Sequence, residues 1–408
     1  MLPRVYRNIG LKKQRIFRTD VTGAEADVRG AKQGQEAIVR RAAFENIDRC
    51  LTSGSQWLCG FGRLKLKNEL TRLLDIEIPI LSAPMGGAAG PDLVAAVSNA
   101  GGFGVIPLWG KPVDEVRHGI AQVRALTDRN FAVNLNLSFP YEEQLNACIE
   151  EQVCALSLFW GMKPSAIEAA KAAGLIVMVS VGTAAEAKLA ADAGADIIIA
   201  QGWEAGGHVW GQVATMALVP AVVDAVRIPV VAAGGIADGR GLAAALILGA
   251  SGVWIGTRFL ASTEATIHET YQQRVLGASE SQTEWYHDLY DVAWPDASHR
   301  ALSNSTSRHW QRAGTPAPGN RPGEEEVIGQ RPNGGPVVRY QSYTPLPGTT
   351  GDVEAMSLWA GQGVSLVREI LPAAKIVREI YQDAKTAMQL GQAKLSDSDS
   401  PSSSNESI

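Results

Sequence analysis

The residues best suited to chemistry stand in DIIIAQGWEAGGH, Asp196 to His208. Its apolar run, Ile197 to Ala200, reads as a buried parallel strand that opens into a glycine-rich loop carrying Glu204 and His208. Reactive groups of α/β barrels gather at the carboxyl ends of strands, and an ionisable imidazole falls at such an end here. By itself a histidine after glycines is more often structural than catalytic. Competing chemistries lack their residues. His118 sits on an expected helix, His268, His287, His299 and His309 are dispersed with none in H-E-x-x-H form, and no carboxylates cluster at strand ends. No G-x-S-x-G elbow introduces a serine nucleophile. No metal is expected, and His208 is the one sharply placed base.

Two glycine-rich segments come late, AAGGIADGRG from Ala232 and GVWIGTRF from Gly252. In a barrel the loops after the seventh and eighth strands commonly cradle phosphate. Gly234, Gly235, Gly256 and Thr257 would turn backbone N–H groups toward phosphate oxygens, with Arg258 adding charge. Tight turns alone would explain either loop, but the adjacent pair implies a phosphorylated ligand or cofactor. The first strand ends in Ala83-Pro84-Met85-Gly86-Gly87, small residues that admit a flat ligand beside the polarisable Met85. Asn134 and Asn136 share one side of the third strand, and Gln201 ends the sixth. Each amide can serve a ring carbonyl or ring N–H, or else tie up local backbone. Proton abstraction beside a ring cofactor is the economical chemistry.

Such residues need a frame that brings distant loops together. Short apolar strands run over Pro79 to Met85, Phe103 to Leu108, Phe131 to Leu137, Ala155 to Phe159, Leu175 to Ser180, Ile197 to Gln201, Pro229 to Ala233 and Gly252 to Gly256. Helices between them cover Pro91 to Asn99, Val113 to Leu126, a stretch from Tyr141, Pro164 to Ala173, a stretch capped by Thr183 with Glu186 in a capping-box pattern, Met216 to Val226, and Gly241 to Leu248. This alternation predicts an α/β fold, a TIM (β/α)8 barrel over residues 71–276, with an N-terminal extension and an irregular C-terminal excursion plus helices. An open doubly wound sheet would show a G-x-G-x-x-G turn after the first strand, and none is there.

Arg258 to Leu276 reads as one helix, with Ser262 or Thr263 and Glu264 as its cap residues. Residues 277–352, rich in Pro, Gly, Asn and Ser and with an aromatic group between Trp285 and Trp294, read as an excursion packed over the barrel mouth or against a neighbouring subunit. Helical pattern returns over residues 353–390, interrupted at Leu371 and Pro372. Residues 391–408 read as a disordered tail. Residues 1–70 read as a poorly ordered extension whose basic start, MLPRVYRNIGLKKQRIFR, faintly resembles a mitochondrial leader; a cytoplasmic protein is the simpler expectation. The 408-residue chain has a formal net charge of -5, which argues against nucleic acid, and no apolar run long enough for a membrane span. Cys50, Cys59, Cys148 and Cys154 show neither zinc spacing nor a disulfide framework.

In their joint order, PILSAPMGGAAGPDLVAAVSNAGGFGVI, FAVNLNL, ALSLFWG, the tract through QGWEAGGH, PVVAAGGIADGRG and GVWIGTRF resemble the nitronate monooxygenase family, FMN-containing TIM-barrel flavoenzymes, over about Pro79 to Glu264. The resemblance implies FMN at the barrel mouth, with Met85 against the isoalloxazine and Asn134 near it. Gln201 and Gly206 would line the ring or ribityl side, and Gly235, Trp254, Ile255, Gly256 and Thr257 would hold the phosphate end. Ala83, Pro84, Gly207 and Gly234 complete the implied cofactor-binding set. His208 falls on the family's catalytic histidine, accepting the α-proton of a nitroalkane or orienting a nitronate. Molecular oxygen would be the co-substrate, and nitrite and a carbonyl compound the products.

The rival on the same scaffold is an NAD(P)H-dependent reductase of quinones or enoyl thioesters. Trp160, Trp203 and Val209-Trp210 depart from the better-known members and would narrow the cavity or favour an aromatic substrate by stacking. ALSNSTSRHW, Ala301 to Trp310, resembles an element after the barrel in relatives, so that Arg300, Asn304 and Arg308, with Tyr340 and Tyr343, are lid or cofactor contacts or else a structural cap. Oligomeric state is open, a homo-oligomer included.

Overall fold

The computed structural model describes residues 68–396. Expectations for the N-terminal extension up to residue 67, and for the tail beyond Ser396, lie outside the described residues. In chain order the strands are β1 (Ile80–Ser82), β2 (Gly104–Pro107), β3 (Phe131–Asn136), β4 (Ala155–Phe159), β5 (Ile176–Val181), β6 (Ile197–Gln201), a two-residue strand β7 (Gly207–His208) that leaves the barrel, β8 (Val230–Ala233) and β9 (Gly252–Ile255). The eight barrel strands pair in the order β1-β9-β8-β6-β5-β4-β3-β2, all parallel, and a bridge from Leu81 to Phe103 joins the two ends of the sheet. This is the expected TIM barrel.

Strand alternation sorts the side chains into two layers. Leu81, Phe103, Val105, Ala132, Ala155, Met178, Ile197, Ile199, Val231, Ala233 and Trp254 fill the barrel interior, plugged from below by Leu70 and Leu74 around the short helix Glu69–Leu73. Their sequence neighbours Ile80, Ile106, Val133, Leu156, Val177, Ile198, Ala232, Val253 and Ile255 face outward into the helix layer. Helices Pro91–Asn99 and Val113–Leu126 have the expected bounds. Thr183 caps its helix by accepting from the Glu186 N–H, but the Glu186 carboxylate bonds the Gly182 N–H at 2.7 Å, one residue before the cap, so the reciprocal half of the box is displaced. Asp238 caps Gly239–Ile247, two residues earlier than expected.

Three expectations need correction. The single helix over Arg258 to Leu276 is two, Thr257–Leu260 and Glu269–Leu276. Leu371 takes the intervening backbone, accepting from the Thr263 N–H and donating to the Ala261 carbonyl, while the Glu264 carboxylate accepts from the Ala373 N–H and so caps the terminal helix and not its own. The helical reading of residues 353–390 holds only from Ala373, and that helix runs to Ser396, beyond the expected start of the tail at 391. Before it lie only the 3-10 turns Val353–Ala355 and Gln362–Leu366.

The excursion is more regular than its composition suggests. Strands β10 (Thr283–Tyr286) and β11 (His299–Leu302) form a hairpin whose inner strand pairs antiparallel with β7. A second small sheet contains Val327–Gln330, Pro336–Val338 and Thr350–Gly351. Among the described residues, no helix is long and apolar enough to cross a membrane.

Candidate active site

At the carboxyl ends of the strands lies a cavity of about 350 Å³, within the size range of small-ligand sites. Its floor is built from the last inward positions of the strands, Asn134, Ser180, Gln201, Ala233 and Trp254, with Ala83, Pro84 and Met85 beside them. Gly206, Gly207, His208, Gly234, Gly235, Gly256 and Thr257 complete the expected set on its wall. Ile255 is the exception: alternation places Trp254 and Gly256 inward and turns the Ile255 side chain into the outer core. Arg258 is also off the cavity, donating to the carbonyls of Ala261 (3.4 Å) and Glu369 (3.1 Å).

The two asparagines of β3 part company. Asn134 Nδ2 donates to the Ser157 carbonyl (3.1 Å) and hydroxyl (3.2 Å), which fixes the amide at the cavity floor. Asn136 accepts from the Ser138 N–H and hydroxyl and is off the cavity; its buried Nδ2 has no partner.

The loop that carries His208 is tied down by hydrogen bonds with Gln201. Gln201 donates through Nε2 to the His208 carbonyl and accepts through Oε1 from the Trp210 N–H, both at 3.0 Å. Across β7, His299 stands opposite His208 and Arg300 opposite Gly207. Glu204 does no chemistry in this geometry: its carboxylate accepts from the Thr215 N–H (2.8 Å) and hydroxyl (2.9 Å), tying the loop to the start of the next helix. Gly206 and Gly361 meet back to back, and a Cβ on either would strike the other's backbone.

No side chain or backbone group among the described residues bonds either ring nitrogen of His208, and Nε2 is buried. The ring lies against the Trp294 indole, centroids 3.7 Å apart and planes 29° from parallel. Trp359 stands at 5.2 Å, His299 at 5.7 Å and Trp160 edge-on at 5.9 Å. Burial, and secondly the neighbouring His299, hold the His208 imidazole well below its usual pKa, so it is neutral and able to accept a proton at neutral pH. His299 is pushed down to about 4, again mainly by burial. Its Nδ1 bonds the Ala297 carbonyl and its Nε2 accepts from the Tyr290 N–H, which leaves no place for a second proton.

The glycine loops make a cradle. Gly234 and Gly235 have φ of +109° and +71°, conformations that glycine adopts freely. The N–H groups of Gly235, Gly256 and Thr257 have no acceptor among the described residues, while the Thr257 hydroxyl accepts from the Gly361 N–H at 3.0 Å.

Sequence reasoning missed Trp109, Ser180, Trp294, Trp359, Gly361 and Gly363, all on the cavity wall. Ser180 was accessible, since it shares the inward parity of Met178; the others come from loops whose placement no local pattern fixes. Of the excursion residues, Tyr343 lies on the wall. Asn304 caps helix Ser305–Arg312, and the Tyr340 hydroxyl donates to the Pro322 carbonyl. Arg300 bonds the Trp203 and Thr283 carbonyls and stacks on the Trp203 ring, and Arg308 lies 3.8 Å from Glu354. Those four serve the cap.

A parallel eight-stranded barrel with its cavity at the carboxyl ends of the strands defines the class as a TIM-barrel enzyme. The chain belongs to the nitronate monooxygenase family, whose model matches residues 67–148 and 135–383 and whose members are FMN-binding flavoenzymes; it is an oxidoreductase of that kind. It is 32% identical over 368 residues to a nitronate monooxygenase of Pseudomonas aeruginosa, covering 78% of this chain and 100% of that one. A Rhodococcus jostii protein named (3aS,4S,5R,7aS)-5-hydroxy-7a-methyl-1-oxo-octahydro-1H-indene-4-carboxyl-CoA dehydrogenase is 43% identical over 212 residues, 52% of this chain and 60% of that relative's length. Among solved structures, FabK from Thermotoga maritima superposes with a TM-score of 0.71 at 35% identity, covering 81% of this chain and 99% of that one. The nitroalkane oxidase of Streptomyces ansochromogenes gives a TM-score of 0.64 at 27% identity, covering 79% and 99%.

Proposed function

We propose that the chain holds FMN across the barrel mouth and oxidises nitroalkanes or their nitronates with molecular oxygen, releasing nitrite and a carbonyl compound. The observation that carries this reading is the half-buried His208 imidazole on the cavity wall, stacked on Trp294 and with its buried Nε2 unbonded among the described residues. The cavity residues fit the cofactor. Unbonded N–H groups at Gly235, Gly256 and Thr257 would hold the phosphate. Ala83, Pro84, Met85 and Ala233 supply a flat apolar floor, and Asn134 and Gln201 supply amides.

FMN, when bound, would supply the redox chemistry between substrate and oxygen. His208 takes the α-proton of a neutral nitroalkane, a step its unprotonated state permits. Gln201 fixes the loop that carries it, and the Trp294 indole covers one face of the ring. Anaerobic addition of a nitronate should bleach the yellow protein without nicotinamide, and admitting oxygen should then release nitrite. Bleaching by NADH or NADPH alone, with no nitrite from nitronate, would overturn the assignment.

That contrary result is the second reading, a nicotinamide-dependent reductase of quinones or enoyl thioesters. It draws support from the 43% identity to a relative named for a ring-bearing acyl-CoA and from an aromatic wall suited to flat rings.

A further inference from the structure

We propose that Trp294 is a positioning residue for His208: its indole stacks on the imidazole and, with Trp359, forms an aromatic cage that stabilises the ring once it is protonated. Bases of this kind usually owe their orientation and counter-charge to a hydrogen-bonded partner. His208 has none among the described residues; the indoles of Trp294 and Trp359 stand beside it instead, at 3.7 and 5.2 Å. An imidazolium over an indole face is attracted by the ring quadrupole, and the attraction is largest where water is excluded.

Trp294 is built into this role. It is 6% exposed and its buried Nε1 has no partner among the described residues, so hydrogen bonding to them does not explain its placement. Ala293 and Asp296, with φ of +78° and +53°, make the turn that presents it, a conformation non-glycine residues seldom adopt. Its edges pack on Trp160, Trp109 and Phe139 at 5.3, 5.6 and 5.2 Å. The other titratable ring facing His208 is His299, held neutral by its two hydrogen bonds. The nearby charges are engaged elsewhere: Glu204 with Thr215, Glu186 with Gly182 and Trp210, and Arg300 with the Trp203 and Thr283 carbonyls. The low proton affinity of His208 agrees with a ring that must gain its cation stabilisation from the cage.

The kinetic arm of the test rests on the proposed reaction; the titration arm does not. For each of wild type, Trp294→Phe and Trp294→Leu, the rate with neutral nitroalkane is divided by the rate with preformed nitronate. The Leu variant should lower this ratio about tenfold, and the Phe variant, which keeps a π face, should stay within about threefold of wild type. Equal ratios in Phe and Leu would mean packing alone and would overturn the cage. In parallel, the His208 ring is followed by NMR against pH in the holoprotein, assigned with His208→Asn. A Leu variant that protonates at lower pH than wild type supports the cage, and one that protonates at higher pH overturns it. Absence of nitrite from wild type would sink the reaction alone, leaving the titration to decide the cage.

Discussion

At the scale of single residues, the site is governed by what burial does to imidazoles. His299, at about 4, is depressed relative to an unfolded value of about 6.5. The unfolded chain therefore binds a proton first as pH falls, and stability is complete above about 6.5 and drains away toward 4. The loss attributable to His299 should approach about 3 kcal/mol, with His208 adding in the same direction. Urea unfolding at pH 7 and at pH 5 tests this, and His299→Gln should flatten the slope. Gly235 gives a second prediction. Its φ is +71° and its missing Cβ would sit 3.4 Å from Glu204, so Gly235→Asp adds strain and a like charge where phosphate would lie. The purified variant should carry a markedly lower FMN-to-protein ratio than wild type; an unchanged ratio would place the phosphate elsewhere.

At the scale of elements, Gln201 decides where the histidine loop goes. Losing its bonds to the His208 carbonyl and the Trp210 N–H should cost about 1–3 kcal/mol of unfolding free energy, and Gln201→Leu should slow turnover as well. Unaltered stability and rate would show that the pairing of β7 with β11 suffices alone. The barrel strands were legible because each is a short apolar run buried on both faces, and β4 and β6 have the very bounds expected. Other elements depend on distant partners and carry no such signal. β7 is two residues long and exists because Arg300 and His299 lie opposite it, and the helix expected through Ser262 fails because Leu371 bonds the backbone of Ala261 and Thr263. The period of two turns the Ile255 side chain away from the cavity that Trp254 and Gly256 line, a distinction a motif read as a block does not make.

At the scale of the whole molecule, the barrel supplies the floor of the site and the excursion supplies its roof. The floor was readable in sequence, since glycines and amides at strand ends have a fixed relation to the barrel axis. The roof was not: Trp294 and Trp359 reach His208, and Trp109 reaches Trp294, only after loops from three parts of the chain converge, and an aromatic residue in a loop has no spacing that says what it will meet. The central claim joins both halves, a bound flavin below and a proton-accepting imidazole at its edge. Its most direct test is single-turnover reduction of the bound flavin in His208→Asn. The account predicts that FMN is retained, that reduction by neutral nitroalkane slows by about a hundredfold or more, and that reduction by preformed nitronate changes far less. Equal rates for the neutral substrate with and without the imidazole would contradict it.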